Sequence, residues 1–534
     1  MSPAKLAWVA GLWLSSLAWV PHHAKAHDHG TAGVNLPELG DVASQELSPA
    51  AERRLGDRIM RSIWPDPAIL DDALILEYVD ELWSNLLKSA RSRGDISPDL
   101  DSTYAWEPFL IQDRSVNAFA LPGGYIGVHL GLIAMTSTAD ELASVLAHEM
   151  AHVTQRHIAR TISVQARQGW ISLASIVLGV LAASRDPQAA QAVIMGGQAA
   201  SMQGQLNFSR DMEREADRVG FGIMTEGGFA AAGMAQMFEH LQRASRLNDD
   251  GSFPYLRTHP LTTERIGEAR ARLGPGGWQI PNPGAENGSA LQFRHALMAA
   301  RAKVRMDTRS AMLDNQTQPH IPPSTPAAQA LLLHYTAAMA LQLRNEFAPA
   351  QQHLSAALKL APLLPEAQKS AALRVLNISQ VELNLMAQQP ETALAHWAAA
   401  YPRRAKEAPA RPELLLQARL ALISGPTSRS LAISQSTSDL QSHLSEHPHD
   451  STAWALLGQI WQVSGHPIRA VRADAEASAA KGDLPGAIDR VLGAQKRFVR
   501  PSAEDALELS VMDARLRVWQ KQHREDMREE ADGR

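Results

Sequence analysis

Residues 145–157 read VLAHEMAHVTQRH, and they constrain the fold more than any other stretch of the chain. His148 and His152 stand four apart in a run that also holds Leu142, Val145, Leu146 and Val153. An α-helix from Ala139 to about Ile162 would bury its apolar faces and carry both imidazoles on one side. Buried imidazoles without partners are costly. The helix therefore needs something that two histidines can hold, and Glu149, about 100° further round, can reach the same point.

The 534 residues include 20 His and no Cys. Disulfides and thiolate chemistry are excluded, so a metal must be held by His and carboxylates. His148-Glu149-x-x-His152 is the H-E-x-x-H pattern, in which the two His bind zinc and the Glu serves as general base. Catalytic zinc takes three protein ligands. The best third donor lies in SRDMEREADRVG, on a second helix from about Gln198 to Met224. There Glu213 and Asp217 share a face, while Glu215 points elsewhere and Glu226 lies past the helix end. Glu213 is the expected third ligand. Asp217 is placed to accept the outer N–H of a ligand histidine or to relay a proton. One zinc ion (Zn2+) per chain is expected.

Three further histidines compete for roles. His259, in RTHPLT, sits in a loop stiffened by Pro260. It is a candidate donor to an oxyanion, or a fourth ligand that keeps the site latent until the loop moves. His157 reads as a surface side chain one turn beyond the motif, and His129 as a groove or core residue on an alternating strand.

The N-terminus, MSPAKLAWVAGLWLSSLAWVPHHAKA, has a charged start at Lys5, an apolar stretch and an Ala24-Lys25-Ala26 cleavage site. It reads as a signal peptide over 1–26, too short in its apolar run to span a bilayer. The expected location is the periplasm, with no transmembrane segment in the mature chain. Residues 27–50 form an extended lead-in. Helical periodicity follows over 51–95, with a break at Trp64-Pro65-Asp66-Pro67. Residues 103–131 alternate and contain β-formers around Pro122-Gly123-Gly124, so strands and a hairpin are expected. The backbone of Gly124, Tyr125, Ile126 and Gly127 is the expected groove, where an extended polypeptide would pair as an added strand. The apolar run ISLASIVLGVLAA at 171–183 suits a buried or lid helix. A net charge of −5 argues against a nucleic-acid partner.

Beyond 275 the composition shifts. Residues 276–326 read as a linker with one short helix, and a cut near Gly277 is expected to leave a folded, zinc-loaded domain. Residues 327–534 carry a repeating helical pattern. Asn345, Phe347, Ala350, Leu354, Ala357 and Pro362 fit the second half of a tetratricopeptide unit. Trp454-Ala-Leu-Leu457-Gly458-Gln-Ile-Trp461 resembles the opening of another. A further helix pair holds Ala393, Trp397 and Ala400, and a last hairpin turns at Gly482-Asp483; residues 403–450 set no register.

HEMAH, the EREAD that follows it, NAFALPGGYI upstream and THP downstream together resemble the HtpX and CAAX-prenyl-protease family of zinc endopeptidases. The resemblance implies that His148, His152 and Glu213 bind zinc and that Glu149 and Asp217 are catalytic, Asp217 as proton donor. The fold class is then mainly α with a small β-sheet. A zinc metallopeptidase domain over 51–275 precedes a helical tetratricopeptide-repeat domain. Implied substrates are unfolded or misassembled polypeptides, and the implied partner of the repeats is the machinery that assembles outer-membrane β-barrels. The alternative is a repeat-based chaperone or scaffold with a latent or vestigial zinc site.

Overall fold

The computed structural model describes residues 47–162, 209–247, 253–274, 285–401, 408–498 and 502–532. The expected signal peptide, most of the lead-in and the apolar run at 171–183 lie outside the described residues. Among those described, no helix is long and apolar enough to cross a membrane.

Helix α1 (Pro49–Ile63) starts at Ser48, whose hydroxyl accepts the Ala51 N–H, with proline at its first position. The Trp64–Pro67 break follows, then the short strand β1 (Ile69–Leu70). Helix α2 (Ala73–Arg93) runs from the Asp72 cap to Gly94 at φ 76°. After α3 (Pro98–Thr103) come β2 (Glu107–Ile111), β3 (Ala118–Leu121) and β4 (Tyr125–His129). The expected hairpin is β3–β4, turning at Gly123 and Gly124, with φ 75° and 85°. The sheet order is β1-β2-β4-β3, with β2 and β4 parallel and the other neighbours antiparallel.

That order corrects the expected groove. Gly124–Gly127 lead into β4, which is paired with β2 on one side and β3 on the other. Its backbone is already spent in the ladder, so it cannot add a strand. The edge strands are β1 and β3.

After α4 (Leu130–Met135), the histidine helix α5 (Ala139–Thr154) is buried along its whole length and capped by Thr138. It does not continue to Ile162. Arg156 adopts φ 53°, and α6 (His157–Ile162) restarts beyond it. A left-handed residue cannot propagate a right-handed helix. Glu52, buried on α1, holds the Arg156 guanidinium at 3.3 Å. The second site helix, α7 (Arg210–Glu226), begins at the Ser209 cap and crosses α5 at Gly220. A Cβ there would lie 3.0 Å from the backbone of Ala147 and His148, so only glycine permits so close a crossing. Helices α8 (Ala232–Leu247), α9 (Tyr255–Thr258) and α10 (Thr263–Arg272) complete this region.

Helix α11 (Ala285–Arg305) is 21 residues long, more than the short linker helix that composition suggests. It packs on α2 and α4 and, with its other side, on the helices 327–343 and 366–386. Its fully buried Arg301 reaches Asp72 at 2.7 Å and Glu382 at 3.0 Å. Helix pairs then follow: 327–343 with 347–360, 366–386 with 390–400, 411–423 with 426–446, and 451–463 with 467–480. Left-handed residues turn three of them, Asn345, Gln388 and Gly465. Helix 484–497 follows Gly482, and the long helix 503–532 ends the chain.

Also on α11, His295 sits between Tyr78, 2.8 Å from Nδ1, and the Thr136 carbonyl, 2.9 Å from Nε2. Burial pushes its pKa down to about 4, against the smaller upward pull of the Thr136 carbonyl. The unfolded chain therefore binds a proton that the folded one refuses, and stability should fall as pH drops from about 6.5 through 4. Asp80 and Glu107, both pushed up to about 7 by burial, work in the opposite sense, favouring the folded state as pH falls toward 4. His295→Gln should keep both hydrogen bonds and remove up to ~3 kcal/mol of the acid-side loss. Denaturant titrations of both proteins at pH 7 and 4.5 measure this; equal acid sensitivity would refute it.

Candidate metal centre

Two helices and one loop converge beside β3. From α5 come His148 and His152, with ring centroids 4.7 Å apart. From α7 come Glu213 and Asp217, and from the end of α9 comes His259, stacked on Tyr255 at 4.7 Å. All five are buried. One nitrogen or oxygen from each of His148, His152, Glu213 and His259 lies within 4.8 Å of the others. His148 Nε2 is 3.0 Å from His152 Nε2 and 3.3 Å from His259 Nδ1. Glu213 Oε1 is 2.9 Å from His259 Nδ1 and 3.4 Å from His152 Nε2.

These separations fit a metal. Zinc–nitrogen and zinc–oxygen bonds near 2.1 Å place tetrahedral ligands about 3.3 Å apart. Two imidazole nitrogens 3.0 Å apart cannot both carry hydrogen, so at least one of them presents a lone pair where the four donors converge. A cation would relieve that convergence.

Glu149 also faces the cluster. Its Oε2 accepts the Ala120 N–H of β3 at 3.1 Å, and its Oε1 has no hydrogen-bond partner among the described residues, lying 3.4 Å from His259 Nε2. Burial pushes the Glu149 carboxyl up, against the pull of His259 and His148. Glu213 goes the other way. Burial opposes its ionisation, but His259 and hydrogen bonds from His148 and His152 hold it far below the usual range.

Asp217 lies behind His148, not in front of it. Its Oδ1 is 2.9 Å from His148 Nδ1, and both its oxygens meet Arg265, at 2.7 and 2.8 Å. Of the two roles open to it, this position matches acceptance of the outer N–H, and both its oxygens are engaged by His148 and Arg265. His148 gains as well: burial pulls its pKa down, but Asp217 and Glu213 outweigh that and raise it to about 9.

Two features lay beyond the sequence reading. Arg265, on α10, is buried and also reaches Glu213 Oε2 at 2.8 Å, so one guanidinium spans both carboxylates of α7. Its faint signal was a helix whose cap, Thr262, stands three residues beyond His259. His157 is fully buried, not a surface side chain. The break at Arg156 turns its ring inward to 2.8 Å from His152 Nδ1. His129 is a core residue, 2.9 Å from Ser115 Oγ.

Residues 87–273 match the family described as Peptidase family M48. They form a metallopeptidase domain of that family. A relative from Vibrio cholerae serotype O1 is 38% identical over 239 residues, 45% of this chain and 47% of its own length. The beta-barrel assembly-enhancing protease of Yersinia pestis is 27% identical over 521 residues, 96% of this chain and 100% of its own. Its namesake from Escherichia coli (strain K12) is 32% identical over 237 residues, 44% of this chain and 47% of its own. The chain thus matches about half the length of the relatives above 30% identity.

Replacing Arg265 should be severe. Arg265→Ala leaves two buried carboxylates without their cation, a loss of ~3–5 kcal/mol. Arg265→Lys should recover little, because one ammonium cannot reproduce a fork across two carboxylates. Thermal denaturation of metal-free protein checks both, and a lysine variant as stable as wild type would show that the fork is dispensable.

Proposed function

We propose that this chain is a periplasmic zinc endopeptidase that hydrolyses unfolded or misassembled polypeptides, acting in the quality control and assembly of outer-membrane β-barrel proteins. The observation that carries the hydrolytic reading is the four-donor cluster with Glu149 beside it and the edge strand β3 alongside. His148, His152 and Glu213 are the zinc ligands in this reading. Zinc held there supplies Lewis acidity, which makes water a competent nucleophile near neutral pH and polarises a peptide carbonyl.

The chain's own residues do the rest. Ala120 fixes one oxygen of Glu149, leaving the other to take a proton from the attacking water and pass it to the leaving amine. Asp217 keeps His148 oriented, with Arg265 behind it. Substrate lies extended along β3, where Ala118 and the carbonyl of Ala120 face the outer side and the Ala120 N–H is held by Glu149. That binding mode selects unfolded segments, because a folded chain has no free backbone to offer. His259 takes the fourth-donor position: its Nδ1 stands within hydrogen-bonding distance of the other donors, so it closes the centre until its loop moves.

The helix pairs beyond 327 are read as tetratricopeptide-type repeats that dock the enzyme to the β-barrel assembly machinery. The names of the Yersinia and Escherichia relatives support that assignment. The rival reading, a chaperone or scaffold with a vestigial site, is disfavoured by the intact set of donors and the intact Glu149.

Glu149→Gln should retain one zinc per chain and lose peptide hydrolysis by ~10²-fold or more. His259→Ala should keep the zinc and cleave an unfolded substrate such as casein faster than wild type. Metal analysis beside a proteolysis assay reads both. Wild-type cleavage by Glu149→Gln protein would sink the assignment of Glu149 as the base.

The domain boundary is tested by two truncations. A chain ending at 277 loses α11 and uncovers Tyr78 and Thr136, the partners of His295. A chain ending after 306 keeps them. The longer fragment should be the more stable and the better zinc binder; equal behaviour would place the boundary near 276.

A further inference from the structure

The two histidines of α5 are anchored from behind in different ways. His148 Nδ1 meets a carboxylate directly, Asp217 at 2.9 Å. His152 Nδ1 meets another imidazole, His157 Nδ1 at 2.8 Å, and His157 Nε2 lies 3.0 Å from Glu215 Oε2. Glu215 also receives Arg160 Nη1 at 3.2 Å.

The outer end of this chain sets the order of its protons. A carboxylate paired with arginine only accepts, so His157 carries its hydrogen on Nε2 and presents a lone pair at Nδ1. That lone pair requires a hydrogen on His152 Nδ1. The remaining nitrogen, His152 Nε2, is then left with its lone pair aimed at the metal centre.

The placement of His157 is not a by-product of helix geometry. On an unbroken helix residue 157 would lie about 140° round from residue 152. The chain instead breaks at Arg156, at a φ of 53° that a side-chain-bearing residue rarely adopts. Buried Glu52 holds that arginine, and the Tyr104 hydroxyl donates to Glu52 in turn. A strained turn, clamped from α1, delivers a fully buried imidazole to the back of a candidate ligand.

We propose that His157 and Glu215 are positioning residues, a proton-ordering relay that locks His152 in the tautomer able to bind a metal through Nε2. The proposal rests on the zinc reading above. It adds that the two ligand histidines have separate anchors, Asp217 for one and an imidazole–carboxylate pair for the other.

The test uses the full chain and zinc chloride, with affinity read by competition against a colorimetric chelator. His157→Leu should weaken zinc binding by ~10–100-fold, the usual effect of losing such a partner. His157→Gln, which restores an acceptor, should recover most of it. Glu215→Ala, at a side chain 32% exposed and so tolerant of change, should weaken zinc by about tenfold and serves if the leucine variant fails to fold. Nitrogen-15 spectra of metal-free, histidine-labelled protein report the tautomer itself. Wild type should show hydrogen on His152 Nδ1, and both His157→Leu and Glu215→Ala a mixture. Zinc affinity and tautomer unchanged in these two variants would overturn the relay. A wild type that binds no zinc would instead refute the metal reading, and the metal-free spectra would still decide the relay.

Discussion

The site depends on one close helix crossing. Where α7 passes over α5, Gly220 lies against the backbone of Ala147 and His148, and the absence of a side chain sets the distance between the helices. Two side chains one turn apart on each helix then face one another: His148 and His152 from below, Glu213 and Asp217 from above. A larger residue at 220 would push α7 outward and separate the two donor pairs, although every donor would still be present. The precision of the centre is therefore a property of helix packing, and the ligands inherit it.

Burying that many polar groups creates a charge problem, solved by arginines on neighbouring elements. Arg265 spans Glu213 and Asp217 from α10, Arg156 answers Glu52, and Arg160 answers Glu215. The protein thus sets fixed countercharges around its donors: Glu213, Asp217 and Glu215 are held below the usual carboxyl range, while at Glu52 burial outweighs Arg156 and raises it. His259 is held differently, by stacking on Tyr255 at the end of a single helical turn. It also meets Glu213 at 2.9 Å and the rings of His148 and His152, so its neighbours at the centre share in holding it.

The residues that spacing can reach were legible in the sequence. Periodicity placed α1, α2 and the two site helices, Gly123 and Gly124 marked the hairpin, and the i, i+4 pairs identified four of the residues that meet. Features set by the third dimension were not legible. His157 lies one turn past the motif by count, but a left-handed arginine held by a glutamate 104 positions earlier redirects it. Arg265 looks like an ordinary charge on an amphipathic helix until α7 is packed against it. Strand order misled in the same way: Gly124–Gly127 has the composition of a substrate groove, but β2, which precedes the hairpin, occupies the side of β4 that the groove would need.

The helices beyond the metallopeptidase domain are joined to it by more than a covalent linker. Asp72, which caps α2, is also the anion paired with Arg301 and Arg305 of α11, and Arg301 carries the contact on to Glu382. Arg374 joins Glu77 on α2 to Glu413 on the helix 411–423, and Arg411 joins Asp71 to Asp450. Three arginines thus tie the first two turns of α2 to successive helix pairs, while the other end of α2 packs on α7, which carries Glu213 and Asp217. This is a continuous mechanical path from the helix pairs to the metal centre, about the length of one helix. Continuity is not coupling, because a rigid path transmits nothing until its elements have a second arrangement to adopt. It does locate where such an arrangement would have to act. One route from the helix pairs to the donors runs along α2 to α7, and another through α11, which packs on α4 and α5; the buried Arg301–Asp72 pair joins α11 to the start of α2.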